Sequence, residues 1–224
     1  MRRNFMLFGL GAFFFLLFAF FSYLVHKNLF IHLDFDTTVH LQDSIPRRFD
    51  ELFSIFSSIG SFEPMVVLLI IVLVIWRKIV TGISIFVGFV AFHLFEIFGK
   101  YFVNHPPPPE FMLRTQRTIQ FDQFHVRTEF SYPSGHSGRA IFIGTVLLFI
   151  IWKSERFSLP IKVGLTGIIT VYILTMLISR IYLGEHWLTD VIGGMLLAAS
   201  LAAFSLSTHK LYGKLVRKKE IVKE

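Results

Sequence analysis

The chain has 224 residues, of which 54% are hydrophobic and only 17% charged, with 28 Phe and a net charge of +7. A soluble domain of this length carries about 25% charged residues, and its apolar residues fall in short periodic sets rather than long blocks. With a mean hydropathy of +0.63, the composition excludes a soluble globular protein, a disordered chain, a collagen-like repeat and a coiled coil, and it calls for a lipid bilayer. The lack of Cys removes disulfides, thiolate nucleophiles and Cys-held metals. In a bilayer protein the position of the basic residues matters more than their sum, so no nucleic-acid partner is expected.

A bilayer core takes about 20 apolar residues per helix, with a working range of about 17–25. Six spans are predicted: Phe5–Val25, Gly60–Trp76, Ile79–Val103, Ser137–Trp152, Ile161–Ile178 and Asp190–Ser207. They make an all-α, polytopic six-helix bundle in one membrane domain over 1–224. The first span is read as a retained helix, because it is longer than the apolar region of a signal peptide and no small-x-small cleavage site follows. Ser44 to Ile59 reads as an amphipathic helix at the outer interface, with Phe49, Leu52, Phe53, Ile55 and Phe56 apolar; it either gates lipid access or simply links two spans. Pro106–Pro109 ends the third span in a stiff extended run without backbone donors.

Six spans put both termini on one side. That side takes 13 of the 22 Lys and Arg, mostly in short loops and tails close to helix ends, where the positive-inside rule weighs most. The termini are therefore expected in the cytoplasm, with 26–59, 104–136 and 179–189 facing outward. The basic tail from His209 to Glu224 reads as an orientation signal with some attraction to anionic lipid.

Two outward segments hold more polar chemistry than an anchor needs. The first is Tyr132-Pro133-Ser134-Gly135-His136, directly before the fourth span. Ser134 suits an N-cap, Pro133 keeps the preceding backbone out of the helix, and Gly135 lets a ligand come close. The free N–H groups of such a helix start attract an anion, with His136 beside it; the same residues also suit a plain helix cap. The second segment runs from Ser179 to Asp190 and contains Arg180, Glu185 and His186. If the sixth helix starts a few residues early, His186 and Asp190 share a face four residues apart. The carboxylate then accepts from Nδ1 of the imidazole and leaves Nε2 as a free lone pair. Arg180 offers a planar fork for phosphate oxygens. The alternative is an interfacial His–Asp cap with a snorkelling Arg.

Together these segments resemble the type 2 phosphatidic acid phosphatase (PAP2) superfamily, membrane lipid phosphatases related to vanadium haloperoxidases. Its three motifs are K-x6-R-P, P-S-G-H and S-R-x5-H-x3-D. The second is complete as Pro133, Ser134, Gly135 and His136, and the third as Ser179, Arg180, His186 and Asp190. At residue frequencies of about 5%, a chance four-residue match has odds on the order of 10⁻⁵ per start position. The resemblance covers about residues 60–205. The first motif departs from the pattern: Lys100 and Pro108 are in place, but Pro107 stands where the family has Arg. Loss of one preorganised cation of this kind costs about 10²–10³ in rate. Arg139, three residues after His136, is the first candidate to stand in, and Arg114 beyond the proline run is the second.

The resemblance implies that His186 attacks phosphorus to form a phosphohistidine, that Asp190 steadies its ring, and that His136 donates a proton to the leaving group. Lys100, Arg180, Arg139 and the Ser134–Gly135 helix start would hold the phosphoryl oxygens. It implies neither metal nor cofactor, and a membrane lipid phosphate as partner: a polyprenyl diphosphate such as undecaprenyl diphosphate, phosphatidic acid or phosphatidylglycerol phosphate. Two other outcomes share these residues, a phosphotransferase that discharges the phosphohistidine to a hydroxyl and a non-catalytic relative that binds lipid phosphates. Of the remaining polar residues, Glu96 reads as a partner that positions Lys100, His93 as a buried hydrogen-bonding histidine, and Glu185 as a solvated carboxylate. His105 and His125 have no partner at metal-ligand spacing, and Glu110, Asp122 and Glu129 are too scattered for an ion site.

Overall fold

The computed structural model describes residues 2–115 and 130–209. The basic tail beyond His209 and Arg117, Asp122, His125, Arg127 and Glu129 of the outer loop lie outside these residues. Among the described residues the chain is all helix: α1 (Arg2–His26), α2 (Ile31–Ser44), α3 (Asp50–Ile59), α4 (Phe62–Trp76), α5 (Ile79–Phe102), α6 (Gly135–Lys153), α7 (Leu159–Tyr182) and α8 (Leu188–Ser207), with single 3₁₀ turns at Arg47–Phe49 and Glu110–Met112. The helix ends follow local chemistry. Ser134 caps α6 through its side chain, Pro160 sits in the first turn of α7, and α4 stops at Arg77 in the left-handed conformation with φ 56°.

α1, α5, α6, α7 and α8 are each long and apolar enough to cross a membrane. α4 is not: it has 15 residues, which at about 1.5 Å per residue falls short of a hydrocarbon core about 30 Å thick. The segment Arg47–Ile59 continues it after a bend of 50°, and counted as one broken span the pair brings the number to six. The span expected over Gly60–Trp76 is therefore the second part of a bent element rather than a straight helix long enough to cross alone.

α8 is the most enclosed of the spanning helices and α7 the most exposed. α8 packs along α1, α6 and α5. Its Gly193, Gly194, Ala198, Ser200, Ala202, Ala203 and Ser205 are small and buried, which lets backbones approach where no hydrophobic effect drives helices together. Phe18 of α1, Phe89 and Phe92 of α5 and Phe142 of α6 join Leu197 of α8 in the buried core. Ile168, Val171 and Leu174 of α7 face outward, as lipid contact requires.

Two features depart from expectation. α2 is a full helix in a stretch read only as outer loop. α3 is amphipathic, but its polar face turns inward: Asp50, Ser54 and Ser57 are buried, whereas Leu52, Ile55 and Ile59 are exposed. Asp50 accepts a hydrogen bond from the Tyr182 hydroxyl, and Phe53 lies 5.0 Å from the Tyr182 ring. The polar face thus packs on α7, and the apolar face is the one left exposed.

The link from α7 to α8 turns at Gly184, with φ +68°, where a Cβ would run into the Met112 carbonyl. The Arg114 N–H donates to the Leu183 carbonyl at 2.9 Å just before it. Gly184→Ala is expected to destabilise the protein by more than about 1 kcal/mol, because an L side chain at positive φ is strained even before the clash. Thermal unfolding in detergent checks this.

Candidate active site

The C-terminal ends of α5 and α7 meet the N-terminal ends of α6 and α8. The two complete motifs are stitched together through backbone: the Ser134 N–H donates to the Asp190 carbonyl at 2.9 Å. Gly194 lies against the Ser134 carbonyl with no room for a Cβ. Any larger residue there would pry the start of α6 from α8.

Asp190, in the first turn of α8, is fully buried. Its Oδ2 accepts from the Trp187 N–H at 3.0 Å and faces His186 Nδ1 at 3.3 Å; its Oδ1 meets His105 Nδ1 at 2.8 Å. The i,i+4 pairing of His186 and Asp190 turns Nδ1 to the carboxylate and leaves Nε2 clear of it. Burial pulls the His186 imidazole below its ordinary pKa; Asp190 opposes this, and the charges of Arg180 and Lys100 add to it. The ring is thus a neutral lone-pair donor near pH 7.

His136, at the start of α6, lies within electrostatic reach of Arg180, Arg139, His186 and Lys100, and its ring borders Gly60. Arg139 and Arg180 are buried and Lys100 is half-buried, and all three are partnered. Lys100 pairs with Glu96 at 3.0 Å; Glu96 also meets His93 at 3.0 Å and Arg139 at 3.6 Å and presses on Gly135. Arg139 Nε donates to the Gly60 carbonyl at 3.0 Å. Arg180, with no exposed surface, donates to Ser57 and pairs with Glu185, while its Nε has no protein hydrogen-bond partner.

The structure thus brings Lys100, Ser134, Gly135, His136, Arg139, Arg180, His186 and Asp190 to one end of the bundle. Arg114 is elsewhere: its guanidinium lies 5.2 Å from the centre of the Tyr182 ring and donates to the Ile45 carbonyl at 3.4 Å. Of the two cations weighed for the Pro107 gap, only Arg139 is in reach. Glu185 is not the free loop carboxylate expected; besides Arg180 it accepts from Thr115. No group of three or more His, Cys, Asp or Glu suited to a metal ion occurs among the described residues.

Sequence reasoning passed over His105 and Asp34. His105 is 4% exposed and bridges Asp190 and, at 3.4 Å through Nε2, Asp34 of α2. Asp34 in turn accepts from the Thr189 N–H at 2.9 Å and the Thr189 hydroxyl at 2.7 Å, capping the start of α8 from another helix. The one available signal was that position 105 lies inside the first-motif stretch, between Lys100 and Pro108.

The fold and the site define a polytopic helical membrane protein with a buried His–Asp pair and a set of cations gathered at one end of its bundle. Residues 67–213 match the PAP2 superfamily, and the chain belongs to that superfamily. It is 38% identical over 74 residues to phosphatidylglycerophosphatase B of Bacillus subtilis, covering 33% of this chain and 36% of the relative. It is 28% identical over 135 residues to an undecaprenyl-diphosphatase of Sulfolobus acidocaldarius, covering 58% and 55%. The chain thus spans from about a third to just over half the length of these curated relatives. Its fold is similar to the crystal structure of a transmembrane PAP2-type phosphatidylglycerolphosphate phosphatase from Bacillus subtilis, with a TM-score of 0.70 at 23% identity over 92% of this chain and 97% of that one.

Burial opposes a charge on His105, but its hydrogen bonds to Asp190 and Asp34 outweigh it, and the pKa is pushed up to about 9. A pKa raised on folding adds stability that is full below the ordinary value near 6.5 and is lost as pH rises through about 9. The unfolding temperature in detergent is expected to fall between pH 7 and pH 10, and to fall less in His105→Gln.

Proposed function

We propose that the chain is a membrane lipid phosphatase that removes a terminal phosphate through a phosphohistidine. The observation that carries this reading is the His186–Asp190 pair, set within reach of His136, Lys100, Arg139 and Arg180. His186 Nε2 attacks phosphorus, and the bond to the lipid-side oxygen breaks. His136, protonated, gives that oxygen its proton. Asp190 holds the ring and balances the charge the ring gains. Water then attacks phosphorus, the P–N bond breaks, His136 takes the proton back, and inorganic phosphate leaves. Lys100, Arg139, Arg180 and the N–H groups at the start of α6 hold the equatorial oxygens, so protein cations supply the charge stabilisation that a metal supplies in other phosphoryl transfers.

Among lipid phosphates we favour a polyprenyl diphosphate, supported by the broader of the two matches above, to a protein named an undecaprenyl-diphosphatase. Pro107 favours a second reading, a non-catalytic lipid-phosphate binder; a third, the phosphotransferase, shares the same intermediate. Phosphate release from a panel of lipid phosphates, in EDTA, separates them. Wild type should release phosphate and His186→Ala should not. Arg139→Ala should lose at least about tenfold and Arg114→Ala almost nothing. Lipid binding without release points to the binder, and phosphate on an added alcohol points to the transferase. An Arg139→Ala enzyme with wild-type turnover removes Arg139 from the phosphate site.

We further propose that the chain is a multi-pass protein of the cell membrane with cytoplasmic termini and the site at the outer face. The arrangement lets a lipid keep its tails in the bilayer while its phosphate meets the helix ends. Because the chain has no Cys, single substitutions can report orientation. In intact cells Lys27→Cys should react with a membrane-impermeant maleimide, and Glu155→Cys only after lysis; the reverse pattern would invert the assignment.

A further inference from the structure

The His–Asp pair does not stop at Asp190. It continues into an alternating chain: His186 Nδ1 to Asp190 Oδ2, Asp190 Oδ1 to His105 Nδ1 at 2.8 Å, and His105 Nε2 to Asp34 Oδ2 at 3.4 Å. Both ring nitrogens of His105 face carboxylates, so the ring is matched as a two-donor imidazolium rather than as either neutral tautomer. Its backbone is fixed as well. The His105 carbonyl accepts from the Ser131 N–H at 3.0 Å and the Ser131 hydroxyl at 3.1 Å, and the neighbouring Asn104 N–H donates to His26 at 3.2 Å. The ring stands edge-on to Tyr132, 6.4 Å between centres.

We propose that His105 is a positioning residue: bridging Asp190 and Asp34, it fixes the Asp190 carboxylate and shares its charge, and so tempers the pull of Asp190 on the His186 ring. The proposal rests on the reading of His186 as nucleophile. A lone carboxylate at hydrogen-bond distance favours the charged form of an imidazole, and an imidazolium has no lone pair with which to attack. A cation on the far oxygen offsets that tendency while leaving the orienting contact intact. Asp34 completes the balance: His105 stays charged because two carboxylates hold it, and Asp34 is itself held by the first turn of α8.

The groups facing the two rings define what else contributes to their titration. His105 meets Asp34 from α2, Asp190 from α8 and Tyr132 from the segment before α6, with His26 of α1 one residue away on Asn104. His186 is faced by Asp190, by Lys100 of α5, by His136 of α6 and by Arg180 of α7 with its partner Glu185. Among these, substitution of His105 changes only the charge on the far side of Asp190.

The test compares His105→Gln, which removes the charge, with His105→Arg, which keeps it. In His105→Gln the His186 ring should become more basic. The acid limb of the kcat/KM–pH profile should then move up by on the order of one pH unit, while in His105→Arg it stays near wild type. ¹⁵N NMR titration of His186, assigned by its loss in His186→Ala, reads the same shift without activity. Should His186→Ala keep its activity, the phosphohistidine reading fails, yet the titration still tests the coupling. If His105→Gln slows the enzyme but leaves both the acid limb and the His186 titration unmoved, the role is structural and the proposal is overturned. If that variant does not fold, the wild type still decides: both His105 ring nitrogens should carry protons at pH 7, and a neutral His105 there overturns the proposal.

Discussion

A carboxylate with no exposed surface at the head of α8 is the constraint around which this end of the molecule is arranged. An ion buried alone carries a penalty of several kcal/mol, so Asp190 has to be surrounded by donors before it can orient anything. The structure supplies the Trp187 N–H, His186, His105 and the positive end of the α8 dipole. These donors come from three pieces of backbone: the turn after α7, which supplies both Trp187 and His186, the proline-rich segment after α5, and α8 itself. The Asp190 main chain accepts from Ser134 in addition, so the same residue fixes the start of α6. Disturbing this carboxylate would loosen three segments at once.

The cations around it obey the same rule in the opposite sign. Lys100 and Arg139 share Glu96, and Arg180 has Glu185 and Ser57. Burying two arginines and half-burying a lysine in a bilayer protein is tolerable because these acids lie beside them. A phosphate would enter a cluster that is already neutralised, and would have to compete with Glu96 and Glu185 for the same donors. This explains why the chain carries acids so close to a site of this charge, a feature that simple attraction of an anion would disfavour.

What was legible in the sequence was what short spacing controls. Ser134 as a cap and the His186–Asp190 pair are both settled within five residues of chain, and the long apolar runs are read directly from composition. What was not legible depends on distant partners. Asp34 has neither spacing nor neighbours to mark it and His105 only its place between Lys100 and Pro108, and both acquire meaning only when α2 crosses the head of α8. α2 itself, with Asp34, Asp36, Thr37 and His40 among its apolar residues, has too mixed a pattern to separate from loop. α3 shows the hydrophobic period of a surface helix, but periodicity does not say which side holds the protein, and here the polar side does. The placement of Arg139 and Arg114 likewise depends on Gly60, Glu96 and Tyr182, each more than thirty residues from the arginine it engages in the chain.

Asp34 stands well before residue 67, where the match to the superfamily begins, yet it closes the first turn of the helix that carries Asp190. α2 is therefore built into the end of the bundle where the two motifs meet. Grafting the amino-terminal third of one homologue onto the remainder of another should succeed only when positions 34, 105 and 189 are inherited together.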